Sequence, residues 1–157
     1  MSARLSIVIP TRNAAADLPA TLMALMPGVE AAVIRDLIIV DARSNDATLV
    51  IAQDAGATVV QAAPSRGGQL RAGAAAARGD WLLFLHADTH LPRDWPAFVA
   101  GRFAMPDRAA CFRLAFRADG FGARWTAGWA NLRTHLFGLP YGDQGLLISR
   151  NLYTQVG

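Results

Sequence analysis

The sequence predicts a doubly wound α/β domain built on a mostly parallel sheet, and three observations carry that prediction. Apolar runs at Leu5–Ile9, Leu37–Val40 and Leu82–Leu85 are continuous rather than alternating, as strands buried on both faces are. Each run closes on a polar or turn-forming residue: Pro10-Thr11, Asp41 and His86. Between the runs lie stretches with helical signals, so strand and helix alternate along the chain.

The elements follow in order. After Leu5–Ile9, Asp17 is expected to cap a helix through Met26, with Pro27-Gly28 ending it. After Leu37–Val40, Ser44-Asn45-Asp46 offers caps for a helix over Ala47–Ala55 that closes at Gly56. Thr58–Gln61 reads as a further strand, and Gln69–Ala77 as an Ala-rich helix stopped by Gly79. Beyond Leu82–Leu85, the stretch Leu91-Pro92-Arg93-Asp94-Trp95-Pro96 is a turn and helix start. Cys111–Arg117 sets Phe112, Leu114 and Phe116 against Arg113, Ala115 and Arg117, the alternation of a half-buried strand. Trp125, Trp129, Leu132 and Leu136 recur at helical spacing, and Leu146–Ser149 is one more short strand.

The chain of 157 residues is 53% hydrophobic and 17% charged, which suits one domain over 1–157 with a sizeable core and excludes a disordered chain. A single cysteine, Cys111, rules out an internal disulfide framework or a cysteine-based zinc site and fits a reducing cytoplasm. No apolar stretch approaches the about 18 residues of a membrane span, and no signal-peptide core follows the start. The net charge is +3, and the sequence pI of about 10.0 comes from arginine, whose fork suits phosphate and carboxylate. No basic cluster is interleaved with aromatics, so nucleic acid is not an expected partner. The Trp125 stripe reads first as core. Flanked by Arg124 and Arg133, it has an alternative reading as a peripheral contact with an anionic membrane surface.

In open α/β sheets ligands sit outside the carboxyl ends of the strands, so the residues closing the apolar runs are where a site is expected. Ser65-Arg66-Gly67-Gly68-Gln69-Leu70-Arg71 adds glycines, a helix start and two arginines, a weak phosphate cue that lacks the Lys-Ser/Thr of a P-loop.

Taken in order, Ile7-Val8-Ile9-Pro10-Thr11-Arg12-Asn13, Ile38-Ile39-Val40-Asp41-Ala42-Arg43-Ser44-Asn45-Asp46-Ala47-Thr48 and Leu83-Phe84-Leu85-His86-Ala87-Asp88 resemble the motifs of glycosyltransferase family 2. Ala74–Asp80, Leu85–Thr89 and Leu139–Gly145 are similar to a bacterial subfamily associated with radical-SAM and selenodomain proteins. The resemblance spans essentially the whole chain. It implies a three-layer α/β/α nucleotide-diphospho-sugar transferase (GT-A) fold, with residues 1–90 as the nucleotide-sugar-binding part. Residues 91–157 would be the start of an acceptor-side part, C-terminally truncated.

The resemblance further implies inverting transfer of a sugar from a nucleoside-diphosphate sugar, UDP- or GDP-linked, with Mn²⁺ or Mg²⁺ assisting. Hard divalent ions take oxygen ligands and keep phosphate oxygens as partners, so a carboxylate at a strand end suits them. Asp88 is then the metal ligand. Pro10, Thr11, Asn13, Asp41, Arg66, Arg71, His86 and Asp88 line the donor site, with Asp41 on the base and Arg66 or Arg71 on base or diphosphate. Asp41 is expected to be free for that contact because Ser44 and Asp46 are better placed as caps. His86 stands where the family usually has the first carboxylate of its metal motif; imidazole could bond a ribose hydroxyl or ligate a softer metal. The family's base lies in a Glu-Asp pair, but the only glutamate here is Glu30, leaving Asp143 as the catalytic candidate. The acceptor is a sugar, a lipid-linked molecule or a small molecule. Two other classes compete: a nucleotide-binding module without turnover, and a sugar-phosphate nucleotidyltransferase. The latter would want a Gly-rich basic loop directly after the first strand, where Pro10-Thr11-Arg12-Asn13 stands.

Overall fold

The computed structural model describes residues 3–112 and 145–156. The three apolar runs are strands β1 (Leu5–Thr11), β2 (Ile34–Asp41) and β4 (Trp81–Phe84). β3 (Thr58–Gln61) and β6 (Leu146–Ser149) fall where their sequence pattern puts them. β5 is Ala110–Cys111. The remainder of the alternating stretch from residue 113, and the Trp125 stripe, lie outside the described residues.

The sheet runs β3-β2-β1-β4-β6-β5. β1 pairs in parallel with β2 and β4, and β2 with β3, while β6 is antiparallel to both β4 and β5. Continuous apolar strands need cover on both faces, and each face has its own core. Leu5, Ile7, Ile9, Trp81 and Leu83 pack with Leu18, Leu25, Ala52, Trp95 and Val99 of α1 (Leu18–Glu30), α2 (Thr48–Asp54) and α4 (Trp95–Arg102). Val8, Ile38, Val40, Leu82 and Phe84 pack with Ala74 of α3 (Arg66–Ala76) and with Leu152 and Tyr153 of α5 (Arg150–Val156). Successive apolar side chains along β1 and β4 point to opposite faces, which yields three layers. A Cβ on Gly73 would collide with Val8 and Val40, so α3 reaches the sheet only because that position is glycine.

α1 does not end at Pro27-Gly28 as its sequence suggests, but runs on to Glu30. The carbonyl that loses its donor to Pro27 belongs to Met23, which is 70% exposed and open to water. Gly28 serves packing: a side chain there would strike the Trp95 ring, whose indole N–H donates to the Ala24 carbonyl at 3.1 Å. The helix closes instead at Ala32, where Ala32 N–H donates to Val29 O and Val33 N–H to Gly28 O, with Ala32 at φ 52°. α2 closes in the same way at Gly56, as expected, through Gly56 N–H to Gln53 O and Ala57 N–H to Ala52 O. Two equal Schellman ends, one with alanine in the left-handed position and one with glycine, make a prediction. Ala32→Gly should stabilise the chain by about 0.5–1 kcal/mol, the Cβ strain relieved less the extra unfolded-chain entropy. Urea denaturation reads this directly, and an unchanged or lower midpoint would contradict it.

α5 has no counterpart in the sequence pattern. Its first residue, Arg150, donates to Gly79 O at 2.8 Å, Ala77 O at 2.7 Å and Ala74 O at 3.3 Å, so a guanidinium closes the carboxyl end of α3.

Candidate active site

The strand order locates the crevice. From β1 the chain builds outward through β2 to β3, then α3 carries it back across the sheet to lay β4 on the other flank of β1. The reversal falls between β1 and β4, and ligands of such sheets bind there, outside the carboxyl ends. The last link of the β1–β4 ladder is Leu85 N–H to Val8 O at 3.0 Å. The next rung would need an N–H from Pro10, which proline lacks, so the two strands part at Pro10 and His86.

Two turns form one wall. The β1–α1 and β2–α2 turns are joined by Asn13 N–H to Ser44 Oγ at 2.8 Å, Asn45 N–H to Asn13 Oδ1 at 2.9 Å and Ala14 N–H to Thr48 Oγ1 at 2.8 Å. Asp46 adds a bridge: Oδ2 accepts from Ala15 N–H at 3.0 Å, while Oδ1 accepts from Thr48 N–H at 3.0 Å and Thr48 Oγ1 at 2.5 Å. The Thr48 hydroxyl holds the Asp46 carboxyl below its ordinary value of 3.8. Asn13 and Arg43 both sit in the left-handed region, at φ 50° and 60°. Strain of this kind in two facing turns persists only where the surroundings over-determine it.

Asp41 departs from the expectation that neighbouring caps leave it free. It is fully buried and accepts from Thr11 Oγ1 at 3.1 Å, Ser44 Oγ at 2.5 Å and Ser44 N–H at 2.9 Å. Ser44 caps nothing in α2; its hydroxyl is spent on Asp41 and Asn13. Three of the about four acceptor positions of the carboxylate are therefore taken by the protein, and none meets solvent. Asp41 ties β1 to the turn beside it. Thr11 is likewise buried, at 2% exposure.

The opposite wall comes from α3 and the end of β4. The expected glycine loop is in fact the first turn of α3, capped by Ser65 Oγ, which accepts from Gly68 N–H at 3.3 Å. Arg66 is therefore the first helical residue, and its guanidinium donates to His86 Nδ1 at 3.3 Å. A guanidinium has no acceptor, so in this contact Nδ1 accepts. Arg71 lies about 200° around the helix from buried Gln69, on the exposed side, so the structure brings Arg66 and not Arg71 to the strand ends.

Asp88 lies in the turn after β4, and its carboxylate has no hydrogen bond or ion pair among the described residues. The turn itself is held firmly: Thr21, buried in α1, donates to Ala87 O at 2.6 Å, His86 N–H to Thr89 Oγ1 at 3.1 Å, and Thr89 N–H to His86 O at 3.2 Å. No group of three or more His, Cys, Asp or Glu side chains that could hold a metal occurs among the described residues. A hard divalent ion does not need one, since Mg²⁺ and Mn²⁺ bind through one or two carboxylates with phosphate and water completing the shell. Asp88 fits that donor set. Asp143 lies outside the described residues. No described helix is long and apolar enough to cross a membrane.

Three contributors were given no site role by the sequence: Gln69, read as a helix start, Ser44, read as a cap, and Thr21. Gln69 had a signal, as a polar residue on the sheet-facing side of a Gly/Ala helix; Ser44 and Thr21 had none beyond an ordinary turn and helix pattern.

The family model described as glycosyl transferase family 2 matches residues 6–151. No curated protein matches the chain in sequence. Among solved structures, glucosyl-3-phosphoglycerate synthase from Mycobacterium tuberculosis with Mn²⁺, UDP and glucosyl-3-phosphoglycerate is 22% identical with a TM-score of 0.70, covering 96% of this chain and 58% of that one. The same enzyme with Mg²⁺ and UDP is 21% identical at a TM-score of 0.68, over the same shares. A further mycobacterial protein is 22% identical at 0.72, covering 96% and 55%. These likenesses establish the nucleotide-sugar transferase fold. The chain spans less than two thirds of the length of these structures.

Proposed function

We propose that this chain, which belongs to glycosyl transferase family 2, transfers a sugar from a nucleoside-diphosphate sugar to an acceptor hydroxyl with inversion, assisted by a divalent metal. The observation that carries the reading is the crevice where β1 and β4 part. There Arg66 meets His86 just beyond β4, two residues before Asp88, and the turns carrying Asn13 and Ser44 are joined beyond β1 and β2. An anionic diphosphate needs such a mixture: donors for its oxygens, and a carboxylate to share a cation with it.

The base is proposed to lie against the joined turns, walled by Pro10, Thr11 and Asn13, with Asp41 holding the wall in place. Arg66, at the start of α3, donates to the diphosphate, and the helix N-terminus adds its partial positive charge. His86, in contact with Arg66, is proposed to lie against a ribose hydroxyl or the diphosphate. Mn²⁺ or Mg²⁺, the ions bound with UDP in the mycobacterial synthase, fits on Asp88. When bound, it supplies positive charge for the diphosphate as it leaves. The acceptor hydroxyl must lose a proton to a base on the face opposite the diphosphate, and on sequence grounds Asp143 is the residue proposed for that. The acceptor is proposed to be a small or lipid-linked hydroxyl compound.

Isothermal titration with UDP, GDP, CDP and ADP, each with Mn²⁺ and with EDTA, tests the reading. One diphosphate should bind, and its affinity should fall about tenfold or more in EDTA. Equal affinity in EDTA would remove the metal role, and absence of binding by all four would remove the donor site.

A further inference from the structure

Gln69 is the polar side chain that bridges the two halves of the crevice. It is 7% exposed, and its Nε2 donates to Thr11 O at 3.0 Å and to Val40 O at 2.8 Å, the carbonyls at the carboxyl ends of β1 and β2. Both amide protons are thereby used. The Oε1 atom accepts from no group among the described residues. The amide is also locked in orientation, because turned over it would set its oxygen against two carbonyl oxygens. Gln69 thus holds a fixed acceptor at the strand ends, near the Asp41 carboxylate, three of whose acceptor positions are taken by the protein.

We propose that Gln69 Oε1 reads the base of the donor nucleotide by accepting the ring N–H of a lactam, N3–H of uracil or N1–H of guanine. This rests on the donor-site reading above and sharpens it. Cytosine and adenine present a lone pair at the corresponding ring nitrogen, which would face the Oε1 lone pairs with no proton between them. Since the Nε2 bonds prevent the amide from turning over, the site cannot adapt to those bases as a free glutamine would. An acceptor that cannot become a donor discriminates by leaving the wrong base unpaired in a confined position. Gln69 is then a binding residue through Oε1 and a clamp on Thr11 and Val40 through Nε2.

The test pairs a change in the nucleotide with a change in the protein. Wild-type chain with Mn²⁺ is titrated with UDP and N3-methyl-UDP, and with GDP and N1-methyl-GDP; methylation should cost the accepted nucleotide about tenfold or more in affinity. In Gln69→Met the parent nucleotide should bind more weakly and the penalty for methylation should shrink to about twofold or less. Gln69→Leu replaces it should the methionine variant fail to fold. Independently of either variant, the Gln69 side-chain amide resonance of ¹⁵N-glutamine-labelled wild-type chain should shift with the parent nucleotide and not with the methylated one. A parent nucleotide that binds but tolerates methylation overturns the proposal while sparing the donor site. A penalty undiminished in Gln69→Met also overturns it, and places the acceptor elsewhere. If no nucleoside diphosphate binds wild-type chain, the donor-site reading itself has failed and the proposal falls with it.

Discussion

Asp41→Ala is expected to lower the stability of the chain by about 3–5 kcal/mol, among the largest effects any single substitution should have. The carboxylate is fully buried and receives Thr11 Oγ1, Ser44 Oγ and Ser44 N–H. Alanine would leave three donors facing a void. The two hydroxyls can rotate toward other partners, but the Ser44 amide cannot, and a buried amide without an acceptor costs about 1–3 kcal/mol alone. The break would also free the turn from β1, so the joined turns that wall the base pocket should loosen together. For a domain of this size the thermal midpoint should fall by roughly 10 °C, and thermal and urea unfolding both report it.

The isosteric variant Asp41→Asn separates a structural carboxylate from a base-reading one. Its side-chain amide keeps one oxygen for the Ser44 N–H and turns its NH₂ toward the Thr11 and Ser44 hydroxyls, which can accept as well as donate. The stability cost should therefore be about 1 kcal/mol. Nucleotide affinity should follow stability, nearly intact in Asp41→Asn and lost with the turn in Asp41→Ala. A folded Asp41→Asn variant that has lost nucleotide affinity by tenfold or more would instead make Asp41 a direct base contact, as family resemblance alone suggests.

This contrast shows what sequence conveys about such a site. The strand ends were legible because burial on both faces forces unbroken apolar runs, and whatever closes those runs must lie at the sheet's edge. That logic reaches Pro10, Asp41 and His86, while the short strands β3 and β6, read separately, fall at their expected limits. It does not reach which way a polar side chain turns. Asp41 and Ser44 are three residues apart in a turn where either could cap or be capped, and only the tertiary contact of Asn13 with Ser44 decides it. The arginines were ambiguous for a related reason. With the helix start placed at Gln69, Arg66 read as a loop residue outside α3, whereas it is the first residue of the helix. Pro27-Gly28 misled because it carries an ordinary stop signal, whereas Gly28 answers to a tryptophan of α4 far along the chain. Arg150 escaped because capping the end of α3 from α5 leaves no periodic trace.

Asp88→Ala tests the other half of the site, and its outcome should be the reverse of that at Asp41. The carboxylate has no partner among the described residues, while the turn around it is held by backbone atoms and by Thr21 and Thr89. Stability should thus change by no more than about 0.5 kcal/mol. Nucleoside-diphosphate binding should lose its response to metal: affinity in Mn²⁺ should fall about tenfold or more, to the level of wild-type chain in EDTA. Arg66 would remain as a donor, so residual metal-independent binding is expected rather than none. Asp88→Asn keeps an oxygen ligand but removes the charge, and should fall between the two. The readout that does not depend on turnover is Mn²⁺ itself, followed by electron paramagnetic resonance with UDP present. Wild-type chain should take up Mn²⁺ together with the nucleotide and Asp88→Ala should not, because diphosphate oxygens without the carboxylate leave the ion no anchor on the protein. Mn²⁺ uptake unchanged in Asp88→Ala would show that the ion is held by other residues, and Asp88 would then be only a turn residue after β4.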